Sequence, residues 1–336
     1  MRGCALPLTQ FTYLPSHLCN TIIKINSFPF LHSFPSHHSL TIHNPTTPIP
    51  FTSLHAHHQP HDDDEQENFH VLTAVKSDYN DIMIVDTPNS RMLLLDSSHN
   101  VHSILYKDQK WTNSYWDEFA SLPAIVPKGP IAILGLGGGT AAHLMLELWP
   151  SLQLEGWEID DILIDKARDY FGLSDLEKTT EDGGILNIRI GDVFIPSEDS
   201  HRRYAGIVVD LFSDGKVLPQ LEEVSTWLEL HDRLMANGRL MVNCGGIDEG
   251  SSVVDGSTGL DNLSNDEAWL LNSALKALSK AFPGQLSWKR MPKESGENFM
   301  ALTGPLPDLK SWSANVPSPL STRVMDWRPC EMVSRS

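Results

Sequence analysis

Four short runs near the start of the ordered pattern alternate apolar and polar positions with a period of two: FHVLTAVKS, DIMIVDT, RMLLLD and NVHSILY. That period places successive side chains on opposite faces of a strand. Turn formers such as Pro88-Asn89-Ser90 and Asp96-Ser97-Ser98 separate the runs. A small antiparallel β region is expected over roughly 69–105, followed by a helix over 114–126 that ends near Pro127.

From Gly129 the rhythm changes. IAILG predicts a buried strand and GTAAHLMLELW a helix. LQLEGWEI is a strand, and DDILIDKARDYFG is a helix with Asp160 as N-cap and Gly172 near its end. ILNIRIGD and YAGIVVDLF are two further strands. LEEVSTWLELHDRLMANG predicts a helix closed by Gly238, and RLMVNCGG a strand. NDEAWLLNSALKALSKAF is amphipathic with helical spacing, and QLSWKR and ENFMALTG are expected to pair antiparallel at one edge. Strands alternating with helices imply an α/β fold: a Rossmann-like, doubly wound, mostly parallel sheet with helices on both faces, preceded by the small antiparallel β domain. The tail from Pro305 is rich in Pro and Ser and is expected to be mostly irregular. The organisation expected is a leader-like segment at 1–61, the β region and helix at 62–127, the α/β domain at 128–304 and the tail at 305–336.

The first 61 residues contain no Asp or Glu and are rich in Ser, Thr, Pro and His. Such composition is that of an organelle transit peptide, and its scarcity of Arg favours the plastid stroma if the source is a plant. A mature protein beginning near Asp62 is the expectation. The His residues of this segment lack ligand spacing, and the four cysteines form no CxxC pair, so no metal site is expected. The formal charge of −18 over 336 residues opposes a nucleic-acid partner, since phosphate binding needs clustered Lys and Arg. No apolar run reaches the length of a membrane span, so no membrane partner is expected. A small cationic substrate fits that charge.

Candidate chemistry lies at the strand ends. After the first long strand the chain reads GLGGGT, with Gly135, Gly137, Gly138 and Gly139. A dinucleotide fingerprint needs glycine at 140, where Thr stands. Gly-x-Gly-x-Gly is instead typical of S-adenosylmethionine-binding proteins of the class I methyltransferase type. Glu158 ends the next strand and is suited to accept hydrogen bonds from a ribose diol. Asp192 follows the third, where it and Val193 are placed to meet an adenine. Asp210 ends the fourth. Three acids in register with a glycine turn all fall on the edge where open α/β sheets bind ligands.

With these residues in place, the block Ile131–Gly245 resembles the catalytic domain of the spermidine synthases, the polyamine aminopropyltransferases. The resemblance runs through the glycine turn, WEIDD at 157–161, Gly191-Asp192 and an acidic loop after the fourth strand, and extends over roughly 69–304. It implies a transferase of polyamine biosynthesis that uses decarboxylated S-adenosylmethionine as co-substrate, without metal, and a homodimer formed through the N-terminal β region. By the same resemblance Asp210 is the base that deprotonates the amine and Tyr115 positions it, while Asp214 and His102 lie on the acceptor side. The departures fall on that side too. The turn lacks the family's usual aspartate, the loop reads DLFSDGKVLP, and Tyr115 is followed by Trp116-Asp117. An acid-free turn suits a donor that keeps its carboxylate, so S-adenosylmethionine-dependent methyl transfer to an unknown acceptor stands as an alternative. A non-catalytic binding protein on the same fold is a third.

Overall fold

The computed structural model describes residues 69–97, 100–195, 203–248 and 268–330. The chain divides into two units, Met1–Asn68 and Phe69–Ser336, and all described residues belong to the second. The leader-like segment therefore lies outside them.

The four alternating runs form strands β1 (His70–Lys76), β2 (Asp81–Asp86), β3 (Ser90–Leu94) and β4 (Ser103–Tyr106), an antiparallel meander in chain order. Hydroxyls close its turns: Ser77 Oγ accepts from the Asn80 amide and Thr87 Oγ1 from the Ser90 amide. The buried face of the meander, Ile82, Ile84 and Leu93, packs on Leu163 and Phe171 of the larger domain. Next comes a short helix, α1 (Tyr115–Phe119), and a 3-10 turn at Leu122–Ile125. The helix expected over 114–126 thus breaks where Pro123, which cannot donate a backbone N–H, enters the second turn.

The larger sheet contains β5 (Ile131–Leu134), β6 (Gln153–Glu158), β7 (Ile185–Ile190), β8 (Tyr204–Val209), β11 (Leu234–Asn243), β12 (Leu286–Arg290), β13 (Phe299–Thr303) and β14 (Arg328–Pro329). Their order is β14-β12-β13-β11-β8-β5-β6-β7. β5, β6, β7, β8 and β11 pair in parallel; β13 is antiparallel to both β11 and β12. Helices α2 (Thr140–Leu148), α3 (Asp161–Tyr170) and α4 (Leu173–Leu176) follow β5 and β6. A minor hairpin, β9 (Phe212–Ser213) with β10 (Lys216–Val217), follows β8. α5 (Val224–His231) leads into β11, and α6 (Ser273–Ala281) into β12. Alternate residues of β5 serve opposite faces: Ile131 and Ile133 join one core with α2, while Ala132 and Leu134 join another with α5 and α6. The chain reverses its march between β5 and β8, so the ligand crevice of the sheet opens at their carboxyl ends.

Several expected boundaries change. α5 stops at His231, because Leu234 already pairs with Tyr204 of β8 and Asn237 takes a left-handed φ of 64°. α6 begins at Ser273, where Asn272 Oδ1 caps the Leu275 amide at 2.9 Å. The two last long strands pair as expected but not as a simple edge, since β13 inserts between β11 and β12. The tail, expected to be mostly irregular, carries α7 (Leu309–Ala314), α8 (Leu320–Arg323) and β14, which covers the sheet edge. Buried Trp312, Leu320, Val324 and Trp327 join the core beside α2, burial that composition alone hides.

Candidate functional site

The glycine turn after β5 holds Gly135, Gly137 and Gly139 at φ of 85°, 55° and 83°, a region that disfavours residues with a Cβ. The Gly135 and Leu136 amides both donate to the Trp157 carbonyl, at 3.0 and 2.9 Å, which fixes the turn to the end of β6. What presses on the bare backbone is largely the protein itself. A Cβ at 135 would enter the Asp210 carbonyl, one at 137 or 138 would reach Ser103, and one at 139 would reach Leu173. The Gly138 amide donates to Ser103 Oγ at 2.8 Å, and Thr140 Oγ1 exchanges hydrogen bonds with the backbone of Ile104 at 2.9 and 3.0 Å. The small sheet is therefore built into the turn.

Glu158 ends β6 with its carboxylate pinned by three amides: Gly137 to Oε2 at 3.0 Å, and Ile159 and Asp160 to Oε1 at 2.9 and 3.3 Å. Burial raises its pKa from the ordinary carboxylate value, against the pull of those amides. A carboxylate offers about four lone-pair sites. Three are used here, and displacement of the longest bond leaves room for both hydroxyls of a ribose diol. Two residues on, Asp160 is fully buried; it caps α3 through Leu163 and accepts from Ser77 and Asn80 of the β1–β2 turn. Asp192 follows β7, where its Oδ1 accepts from the Phe194 amide at 2.9 Å, and the Gly191 amide donates to the Glu158 carbonyl. Val193 is buried, and its carbonyl accepts from Arg233.

Asp210 follows β8 directly. Its Oδ1 accepts from Asn243 Nδ2 at 2.9 Å, and the Tyr115 hydroxyl and Trp116 indole also donate to the carboxylate. Asn243 ends β11 fully buried, and its Oδ1 accepts from the Gly245 amide and Asn298 Nδ2 at 3.1 and 3.0 Å. Those two donors fix the amide so that its nitrogen faces Asp210. Burial pushes the Asp210 carboxyl up to about 7, and the three donors restrain the rise. The Tyr115 phenol is raised well above its ordinary value by burial and by the adjacent carboxylate, so it stays a neutral donor.

Tyr115 and Asp210 are thus brought together, as are Gly137 and Glu158. Asp214 stands at the exposed tip of the β9–β10 hairpin with φ 49°, in the Asp-Gly turn that such hairpins favour. His102 pairs with Asp96 at 3.3 Å, and burial lowers the basicity of its ring. Three contributors were missed in the sequence. Asn243 ends a central strand on the same edge as the acids, a signal that was available. Trp116 shows in sequence only as the neighbour of Tyr115. Ser103 gives no local signal, since its role depends on where β4 docks.

Among the described residues, no group of three His, Cys, Asp or Glu side chains is arranged to hold a metal ion, and no helix is long and apolar enough to cross a membrane. Cys244 and Cys330 are free and buried.

Strand order, with β13 and β14 reversed, and the glycine turn define a Rossmann-like fold of the class I methyltransferase type. No family model matches the chain. Over 182 residues, 54% of its length, it is 27% identical to a probable polyamine aminopropyl transferase of Bifidobacterium longum, 39% of which is covered. Over 103 residues, 30% of its length, it is 31% identical to a polyamine aminopropyltransferase of Streptococcus uberis, 34% of which is covered. The match therefore spans well under half of these curated relatives. A spermidine synthase of Thermotoga maritima shows a TM-score of 0.47 at 16% identity, over 70% of this chain and 72% of that one. In sequence, the chain is thus similar to polyamine aminopropyltransferases over part of its length.

Proposed function

We propose that this protein transfers an aminopropyl group from decarboxylated S-adenosylmethionine to a polyamine. The observation that carries the reading is the carboxylate of Asp210, held by Tyr115, Trp116 and Asn243 on the same sheet edge as Glu158 and Asp192. Two aminopropyltransferases among the relatives support it.

An amine near neutral pH is an ammonium with a pKa of about 10 and has no free electron pair. Asp210 accepts its proton. From about 10 to the value of about 7 held by Asp210, that transfer costs about 4–5 kcal/mol. To a carboxylate at the ordinary 3.8 it would cost roughly 9 kcal/mol. Burial of Asp210 thus removes about half of the penalty while leaving the group ionised in part at pH 7. The donor supplies a sulfonium whose carbon–sulfur bond breaks as the nitrogen–carbon bond forms, with the electron pair leaving on a neutral thioether. Glu158 holds the ribose, Asp192 and Val193 meet the adenine, and Tyr115 orients the nitrogen for in-line attack.

Methyl transfer is the second reading. The side chain seated against the glycine turn is the neutral hydroxyl of Ser103, which repels a donor carboxylate less than an acid would. Purified protein supplied with putrescine and each donor in parallel separates the readings. Aminopropyl transfer is expected; methyl transfer supports the second, and neither product indicates a binding protein. Glu158→Ala is expected to weaken binding of methylthioadenosine at least tenfold by calorimetry, and unchanged affinity would remove the ribose role.

A further inference from the structure

The catalytic reading uses Tyr115 and Trp116 but leaves the rest of α1 unexplained. Asp117 and Glu118 are both fully buried, unusual for adjacent acids in a five-residue helix. Asp117 is saturated. Its Oδ1 accepts from the Thr112 amide and hydroxyl at 2.9 and 2.7 Å, and its Oδ2 from the Asn113 amide at 2.8 Å and Arg323 Nη1 at 3.0 Å. Arg323 also donates from Nη2 to Asn113 Oδ1 at 2.9 Å, where Asn113 holds a left-handed φ of 59°. Glu118 Oε2 lies 2.8 Å from Lys289 Nζ, and that nitrogen also donates to the Arg323 carbonyl at 3.1 Å. Two buried acids meet buried Lys289 and partly buried Arg323, linking α1, α8 and β12.

The other end of α1 is held as well. A helix leaves its last carbonyls without internal partners. The Ala120 carbonyl accepts from the Trp149 indole at 2.8 Å, and the Ser121 carbonyl from the Trp312 indole at 3.0 Å. Trp312 belongs to α7 and stacks on Trp327, and both are buried. The tail therefore grips α1 twice, through Arg323 ahead of the helix and through Trp312 behind it. A five-residue helix has too few internal hydrogen bonds to hold itself.

We propose that the C-terminal segment 305–330 is a positioning element for the acceptor side of the site: Arg323 and Trp312 fix α1 so that Tyr115 and Trp116 stay on Asp210. The catalytic consequence rests on the aminopropyl-transfer reading; the structural claim does not. Arg323 is a positioning residue, since it touches the base only through α1. A clamp at both ends is the arrangement expected where two adjacent side chains must be held to within about 0.5 Å.

The test uses the full chain labelled with carbon-13 at the tyrosine Cζ. Tyr115→Phe assigns one of the six tyrosine signals. In the wild type that signal is expected to titrate with Asp210, with a midpoint near 7. Arg323→Met and Trp312→Phe are each expected to shift the signal and raise the midpoint by roughly half a unit or more, because weakened donation favours the protonated acid. Arg323→Lys restores a cation without the two-pronged geometry, so partial recovery is expected. Trp312→Phe changes no charge, so its shift reports geometry alone, and it decides the matter if Arg323→Met does not fold. With transfer active, kcat is expected to fall about tenfold while the KM for the donor stays within about twofold, the pattern of a lost transition-state contact. A Tyr115 signal and midpoint identical to wild type in both variants overturns the proposal. Absence of transfer in the wild type removes the functional reading instead, and the carbon signal still decides the clamp.

Discussion

Tyr115→Phe removes one hydroxyl and leaves the ring, so it isolates one of the three donors on Asp210. A hydrogen bond to a charged group is worth about 1.5–3 kcal/mol. The protonated acid keeps part of that bond, and the half-buried site keeps some water, so the differential is about 1.4 kcal/mol, or about one pKa unit. The sign follows from which form is stabilised. The hydroxyl favours the carboxylate, so its loss moves Asp210 upward, from about 7 to near 8. Only the ionised form takes a proton from the amine. At pH 7 the ionised fraction then drops from about a half to about a tenth, a rate loss of about fivefold that vanishes above about pH 9. The pH profile of kcat/KM for aminopropyl transfer measures this directly, and the carboxyl carbon signal of Asp210 measures it without turnover. An acid limb that stays put or moves to lower pH refutes the assignment of Asp210 as base with Tyr115 as its donor.

Asp210 also lowers stability in a pH-dependent way. An acid whose folded value lies above its unfolded value binds more protons folded than unfolded between the two. Stability is therefore lost as pH rises from about 4 to about 7 and is constant above. The window of about three units sets a ceiling of about 4 kcal/mol, and partial solvation brings the expectation to about 2 kcal/mol. Asp210→Asn should gain on wild type across that window in urea titrations, and parallel curves would contradict the burial argument. Ser103→Ala leaves the Gly138 amide without its partner, at about 1–3 kcal/mol or a drop in Tm of roughly 2–10 °C. A melting curve that does not move would mean that the small sheet does not support the turn.

Much of the larger sheet was legible because parallel strands buried on both faces read as short apolar runs, and IAILG and YAGIVVD are such runs. Their carboxyl ends carry the acids, so Glu158, Asp192 and Asp210 could be placed on one edge before any contact was seen. Contacts between distant segments were not legible. The glycine turn reads as space for a ligand, yet Ser103, Phe171 and Leu173 fill much of that space, and they come from other parts of the chain. The tail reads as irregular because its helices are short and its Pro and Ser residues are turn formers; four buried side chains override that composition. Asp117 and Glu118 look like the solvated acids of an exposed helix until Lys289 and Arg323 are brought to them.

The missing Cβ at Gly135 sets a length. Main chain lies directly on main chain where the turn after β5 meets the carbonyl of Asp210. No side chain stands between the glycine turn and the main chain of Asp210, so none can act as an adjustable spacer. Under the proposed function, the span from nucleoside to base is then a dimension of the sheet itself, and substitution at this contact cannot stretch it. Side chains carried by the exposed β9–β10 hairpin remain free to vary, and under the proposed function accommodation of a longer or shorter acceptor falls to them.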